Sequence, residues 1–487
     1  MTDVAPDDRH HRRSWLTNAG WLTAANVLSV AISAVVGLAL VRAFGAADLG
    51  RYSLATVAAV MGGALIGFRL DQHLLTRLNL EPGDERVFAL AVRTAFMLYV
   101  PAAVVAACVV AVMFGGTARV IGLLAVLEVG LAPMLFLRVV LQVGMRQREA
   151  LVCTAVSRLF WLAEVAVLIG LDAASVPAVL VARVLSTLVE IAFLVRATGY
   201  GPAVVLRNHA SLSNQLGELR AAVPLAGSGL AGEFNGRVDQ PLLAGLRNST
   251  ELGIYAAAVR IADIAGVLAP VAQAVVAPAM VDAARKGDRR AFESVLRDGL
   301  IITLVPSAWL VAMTMGQSEW IVRVLVGRQF DSAASLVVIL AAAEWVTFIG
   351  ASYTVALLAV GNRRALAIAS IVGLVVNVVG NVVFMPTYGA SAAAWMTLIG
   401  CAAASLVAMF ASSDIRAALP ASVPVVLQSA AAVGASAGVV WLLQSNLVAS
   451  VAAGTATYVA LTVGLMRADF FRALKALRRR PVVEETD

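Results

Sequence analysis

The chain has 487 residues, of which 60% are hydrophobic and 14% charged, with a formal net charge of +7 and a mean hydropathy of +0.87. Such a composition excludes a soluble globule, in which apolar residues run nearer half of the total. The basic excess is paired with neither aromatic platforms nor a soluble module, so it points to membrane topology and anionic headgroups and excludes nucleic acid as a partner.

A spanning helix needs about 20 apolar residues, and about fourteen segments qualify. They are 18–43, 52–70, 88–114, 120–143, 152–171, 176–195, 222–245, 253–280, 297–316, 333–360, 365–386, 389–411, 423–443 and 447–466. The first follows a charged leader but is too long for a signal-peptide core, so it stays as a span. Segments 88–114 and 333–360 are long enough to tilt or kink. With the N-terminus in the cytoplasm, cytoplasmic segments collect roughly 24 of the basic residues against about six on the other side. The basic clusters are Arg9/Arg12/Arg13, Arg146/Arg148, Arg285/Lys286/Arg289/Arg290/Arg297, Arg363/Arg364 and the tail from Arg467 to Arg480. An even span count returns that tail to the cytoplasm. The stretch Asp282–Arg297 reads as a basic amphipathic helix on the cytoplasmic face, and QLGELRAA, between the sixth and seventh spans, as a short interfacial helix.

Cys108, Cys153 and Cys401 lie far apart inside apolar segments, which argues against a disulfide framework and a cysteine metal site. His10, His11, His73 and His209 fall in polar connections, so no zinc or catalytic histidine constellation is expected. The Gly63-x-x-x-Gly67 and Gly232-x-x-x-Gly236 pairs read as packing seams. No Walker lysine follows either of them, so movement across the membrane must draw on an ion gradient or substrate flux.

The chain also repeats itself. Asp48-Leu49-Gly50-Arg51-Tyr52 after the first span matches Glu251-Leu252-Gly253-Ile254-Tyr255 after the seventh, at an offset of roughly 203. Arg148-Glu149-Ala150-Leu151 matches Arg363-Arg364-Ala365-Leu366 at roughly 215, and the turn Leu171–Ser175 falls opposite Pro386–Ala390. The expected fold is therefore an all-α polytopic membrane protein with two parallel six-helix lobes related by a pseudo-two-fold axis, plus two C-terminal helices. The layout is an N-lobe at 1–197, a cytoplasmic linker at 198–221, a C-lobe at 222–411, and spans thirteen and fourteen with the basic tail at 412–487.

Charged residues inside spans cost roughly 2.5–3.5 kcal/mol each on insertion scales, so they mark bundle interiors or wet cavities. The two apolar segments of the hairpin Gly227–Met280 hold five, Glu233, Arg237, Asp239, Arg260 and Asp263, with Pro241, Pro270 and Pro278 interrupting the same helices. Glu233 and Arg237 (i,i+4) and Arg260 and Asp263 (i,i+3) each share a helix face, and a self-satisfied ion pair is the plainer reading of both. Arg183 and Glu190 share a face about 10 Å apart along the axis. Arg93 and Arg158 have no acid one turn away, which leaves Glu128 or Glu164 as cross-helix partners. Arg69 and Arg138 lie nearer the cytoplasmic edge, where snorkelling accounts for them. Glu128 in span four and Glu344 in span ten fall at equivalent repeat positions; each suits either a proton carrier or a helix-to-helix hydrogen bond.

Three stretches carry a family resemblance: ADLGRYSLA after span one, VDQPLLAGLRNSTELGIYAAAVRI across spans seven and eight, and NVVFMPTYGASAAAWMTLIG across spans eleven and twelve. VGRQFDSAASLVVIL, before span ten, adds to them. Through these the chain resembles the polysaccharide and oligosaccharidyl-lipid flippases of the multidrug/oligosaccharidyl-lipid/polysaccharide exporter superfamily. The resemblance implies a flippase, not an enzyme and without a cofactor, moving an undecaprenyl-pyrophosphate-linked oligosaccharide across the bacterial cytoplasmic membrane by alternating access. It implies membrane lipids, a polysaccharide polymerase and export proteins as partners, and action as a monomer. On that reading Arg93, Arg158, Arg183, Arg237 and Arg260 bind the substrate anion, because a guanidinium forks onto phosphate. Asp239, Asp263, Glu233, Glu128 and Glu344 serve ion coupling. The alternatives are a cation-coupled drug or metabolite antiporter of the same superfamily and a lipid II flippase. A glycosyltransferase fits poorly, since the longest outer loop, around 316–332, offers only Glu319 and Asp331 as acids.

Overall fold

The computed structural model describes residues 21, 28–80, 84–208, 211–266 and 268–479. The clusters Arg9/Arg12/Arg13 and His10/His11, most of the first half of span one, His209 and the tail from Arg480 lie outside the described residues. Among the described residues all regular elements are helical, and eleven stretches are long and apolar enough to cross a membrane. Those eleven coincide with spans two to six and nine to fourteen of the sequence reading. The described part of span one is a shorter apolar helix, α1 (Leu28–Ala43), and span seven is interrupted at 236–238.

Two compact units divide the chain, Met1–Glu233 and Phe234–Asp487. The first continues from α1 through α2 (Ala46–Gly67), α3 (Leu70–Leu80), α4 (Glu85–Met113), α5 (Gly116–Leu131), α6 (Leu137–Val143), α7 (Gln147–Gly170), α8 (Val176–Thr198) and α9 (Pro202–Arg207), with most of α10 (Leu212–Asn235). Its core gathers Leu70, Leu74, Phe88, Val92, Leu137, Leu141 and Leu194. The stretch read as a linker is anchored within this unit. QLGELRAA is part of α10 itself, and its Glu218 is 7% exposed, accepting from Arg77 at 2.6 Å and meeting His73 at 2.7 Å on α3. An ion pair with Arg77 and a hydrogen bond with His73 compensate the desolvation of that carboxylate and clamp α10 to α3.

The second unit comprises α11 (Asp239–Leu246), α12 (Ser249–Gly266), α13 (Leu268–Arg285), α14 (Arg289–Gly316), α15 (Ser318–Leu325), α16 (Ala333–Ala359), α17 (Arg363–Tyr388), α18 (Ala390–Phe410), α19 (Ser413–Leu442) and α20 (Leu447–Arg479). Asp282–Arg297 forms no separate amphipathic helix. Gly287 turns the chain at φ 63°, and Asp288 caps α14 by accepting from the Ala291 amide at 3.0 Å, so α13 passes directly into α14. Spans thirteen and fourteen are integral to this unit. Trp309 donates to Thr455 at 3.2 Å, Trp345 to Ser429 at 3.1 Å and Tyr353 to Ser422 at 3.0 Å, while Tyr458 donates to the Val305 carbonyl at 2.6 Å. Each bond satisfies a polar group that hydrocarbon cannot.

The repeat is visible in the helix starts. Asp48 and Glu251 sit in the first turns of α2 and α12, with Leu49 and Tyr52, and Leu252 and Tyr255, buried one after the other. Met145 (φ 54°) and Gly361 (φ 73°) precede α7 and α17; Asp172 (φ 52°) and Gly389 (φ 55°) precede α8 and α18. A left-handed residue stops one helix and lets the next begin, so the two matching turns use the same backbone device.

Candidate functional site: two polar clusters inside the spans

In the first unit a polar cluster is assembled by α2, α5, α6, α7 and α8. Ser175 caps α8 by accepting from the Ala178 amide, with Pro177 in the first turn, and Gly199 ends it. That register puts Arg183 and Glu190 on one face, as their spacing predicts, yet each pairs with another helix. Arg183 Nε donates to Glu128 Oε1 on α5 at 2.6 Å, hydrogen-bonds the Tyr52 hydroxyl of α2 and lies 5.9 Å from the ring centre of Trp161 on α7. Glu190, 3% exposed, accepts from Arg138 on α6 at 2.5 Å and from Thr154 on α7 at 3.2 Å. Arg138 therefore does more than snorkel: it neutralises a buried carboxylate.

Arg158 sits one turn beyond Thr154 on α7, in the field of Glu190, Arg183, Arg138 and Glu128. Its Nε is buried and finds no hydrogen-bond partner among the described residues. Glu128 is committed to Arg183, and Glu164 Oε2 is itself buried without a hydrogen-bond partner among the described residues. Three guanidiniums thus face two carboxylates, leaving one net positive charge centred on Arg158. Arg93 is placed differently from the sequence expectation. Its Nε donates to the Val205 carbonyl at 2.7 Å and its Nη2 to the Leu206 carbonyl at 3.1 Å, both in the last turn of α9, where carbonyls lack helical partners. It anchors α9.

The second unit holds a different cluster. Pro241 has no N–H to return to the Arg237 carbonyl, which instead accepts from Gln240 at 3.3 Å. Span seven therefore breaks at Gly236–Val238, between α10 and α11, and the Asn235 carbonyl accepts from Asn377 of α17 at 3.4 Å. Asp239 opens α11, 4% exposed. Its carboxylate accepts from the Tyr255 hydroxyl, from the Gln240 amide at 2.9 Å and from Thr397 of α18 at 3.4 Å. Asn381 donates to Asn377 Oδ1 at 2.6 Å, and the Oδ1 atoms of Asn381 and Asn235 are buried with no hydrogen-bond partner among the described residues.

Span eight adds charge to this cluster. Asp263 lies in the field of Arg237 and Arg260, and Glu344 of α16 lies in that of Asp263. A methyl group at Gly266 would come within 3.0 Å of Glu344 Oε2, so glycine is what lets α12 and α16 approach here. Glu233 is the last residue of the first unit, whereas Arg237 lies in the second, past the break, so the two do not share one continuous helix. The residues missed by sequence reasoning are neutral: Tyr52, Tyr255, Asn377, Asn381 and Thr397. The two tyrosines were inside the repeat motif, and Asn377 and Asn381 stand i,i+4 within an apolar span, a spacing that signals one polar stripe.

The profile of a family described as polysaccharide biosynthesis protein matches residues 15–284, more than half of the chain. The chain belongs to that family. No curated protein matches this polysaccharide biosynthesis protein in sequence. Among solved structures it is similar to the lipid II flippase MurJ in an inward closed conformation, with 12% identity and a TM-score of 0.71 over 91% of this chain and 99% of that one. It is also similar to an inward-facing multidrug resistance MATE family transporter, with 14% identity, a TM-score of 0.61 and coverage of 79% and 96%. A transporter of the same superfamily from Pyrococcus furiosus, described as having a binding pocket of reverse polarity, shares 15% identity at a TM-score of 0.56, covering 80% and 93%. At these identities the likenesses establish the fold.

Proposed function

We propose that this polysaccharide biosynthesis protein is a flippase that carries a polyprenyl-pyrophosphate-linked oligosaccharide across the cytoplasmic membrane, with the first unit holding the phosphate. The observation that carries the reading is Arg158, a cation inside the spans whose Nε has no hydrogen-bond partner among the described residues, beside two ion pairs that hold Arg138 and Arg183 in place. A half-buried charge inside the spans whose Nε has no hydrogen-bond partner among the described residues is costly and is kept where function requires it. A diphosphate satisfies it with charge-assisted hydrogen bonds, and Arg183, 23% exposed, can add a second fork. No bond is made or broken, so the protein acts on the location of its substrate and not on its chemistry.

In this reading Asp239, Asp263 and Glu344 supply the coupling. Asp239 with Thr397 and Tyr255 forms an oxygen set suited to a proton or a hard monovalent cation. A cation that binds one conformation better shifts the population toward it, and by no more than that difference in affinity. Arg237 and Arg260 are held in the field of Asp263, which makes them part of the coupling group more than of the phosphate site. The carboxylates of the second unit also suit a cationic cargo, as a drug antiporter of the same fold would need. The test separates the two readings. In cells depleted of the native protein, Arg158→Glu should insert normally and leave lipid-linked oligosaccharide accumulated on the inner leaflet. Normal export by that variant, or export of organic cations that survives it, contradicts the assignment.

A further inference from the structure

A cavity of about 610 Å³ lies between α2, α4 and α5 of the first unit, apart from both polar clusters. Alanines and glycines dominate its wall, among them Ala58 and Gly62 on α2, Ala103 and Ala106 on α4, and Gly122 on α5. Small residues on spanning helices ordinarily let backbones close on one another. Gly122 does so against Val110, whose methyl a Cβ there would meet at 2.7 Å, but Gly62 leaves space: a Cβ at Gly62 would meet nothing within 4 Å. An apolar void of this size inside a membrane does not stay empty when hydrocarbon is at hand, because its lining would forgo dispersion contacts.

One end of the cavity is marked by Arg51, Phe114 and Thr117, where α4 gives way to α5. Arg51 lines this end, and Arg119 follows the lining residue Ala118 in the chain. Arg51 pairs with Asp48 at 2.9 Å. Arg119 donates its Nε to the Phe114 carbonyl at 2.8 Å and pairs with no carboxylate among the described residues. In the orientation set by the basic loops this is the outer face, where arginine is depleted, so a net positive charge at this mouth calls for an anionic occupant. From Arg51 to Ile66 the wall runs about 22 Å along α2, against about 15 Å for one leaflet of a 30 Å hydrocarbon core. A fatty-acyl chain and its phosphate match that depth, whereas a carrier polyprenol is far longer than one leaflet is deep.

We infer that the groove between α2, α4 and α5 holds one acyl chain of an anionic phospholipid of the outer leaflet, with its phosphate at Arg119 and Arg51. The site is separate from the transport assignment and stands without it. Its test is native mass spectrometry of the full chain released from vesicles of equal parts phosphatidylglycerol and phosphatidylethanolamine. The native protein should retain one phosphatidylglycerol. Gly62→Leu, whose side chain enters open space, should lower that retention about tenfold, the effect of displacing a few methylenes, and Ala103→Leu should act alike. Arg119→Gln should keep a lipid but lose the preference for phosphatidylglycerol. Retention unchanged in both filled variants, an unaltered preference in Arg119→Gln, a retained polyprenyl lipid in place of phospholipid, or no retained lipid at all would each overturn the inference.

Discussion

Tyr52 and Tyr255 hold the same place in the repeated Leu-Gly-x-Tyr motif, and both are buried near the start of a helix. In the first unit the tyrosine hydroxyl meets a guanidinium, Arg183; in the second it donates to a carboxylate, Asp239. Glu128 and Glu344, also matched by the repeat, diverge in the same way. Glu128 is neutralised by Arg183 at 2.6 Å, whereas Glu344 lies in the field of another acid. The duplicated helix pattern therefore sets where polar groups enter the spans and leaves their sign open. One unit carries a net cation and the other a cluster rich in carboxylates and amides, the division on which the proposed function rests.

That comparison can be broken at several points. Reversing charge in the first cluster should have the largest effect: Arg158→Glu is expected to lower export at least about 100-fold, equivalent to about 2.7 kcal/mol, measured as outer-leaflet appearance of labelled lipid-linked sugar. In the second cluster, Asp239→Asn removes the charge while keeping an acceptor for Tyr255. It should remove the response of cysteine accessibility to pH and sodium and shift the balance of conformations by about tenfold. A response equal to the native one would reduce Asp239 to a structural hydrogen-bond acceptor.

Much of the fold was legible from apolar run length alone, because a bilayer demands about 20 apolar residues whatever their order. The break in span seven was legible too, through Pro241. The pairing inside the spans was not. Spacing shows which charges share a helix face, but Arg183–Glu128 and Arg138–Glu190 are cross-helix contacts between residues 55 and 52 apart, which only packing decides. Arg93, like Arg158, has no acid one turn away in the sequence, yet its partners are backbone carbonyls of α9, groups that every residue carries and no sequence pattern marks.

Smaller effects sharpen the account. Glu190→Gln leaves Arg138 without its carboxylate. Because Arg138 is 41% exposed, the cost should be about 2 kcal/mol, below that of a fully buried pair. The Glu190→Gln/Arg138→Gln double variant should recover part of it in a double-mutant cycle of thermal unfolding. Arg93→Gln should be the mildest, losing about 1 kcal/mol of stability with export close to native. Export lost at full stability would return Arg93 to the substrate site.

The central claim is that Arg158 is retained for the substrate and not for the fold, and Arg158→Met tests it most directly. An apolar side chain of similar reach removes a half-buried charge whose Nε lacks a hydrogen-bond partner among the described residues, a change that is neutral or stabilising when the charge serves no structural pair. Measured side by side in proteoliposomes, the variant should keep or raise its melting temperature while translocation of a polyprenyl-pyrophosphate-linked sugar falls to background. Translocation that persists, or that declines only in step with a lowered melting temperature, would contradict the claim.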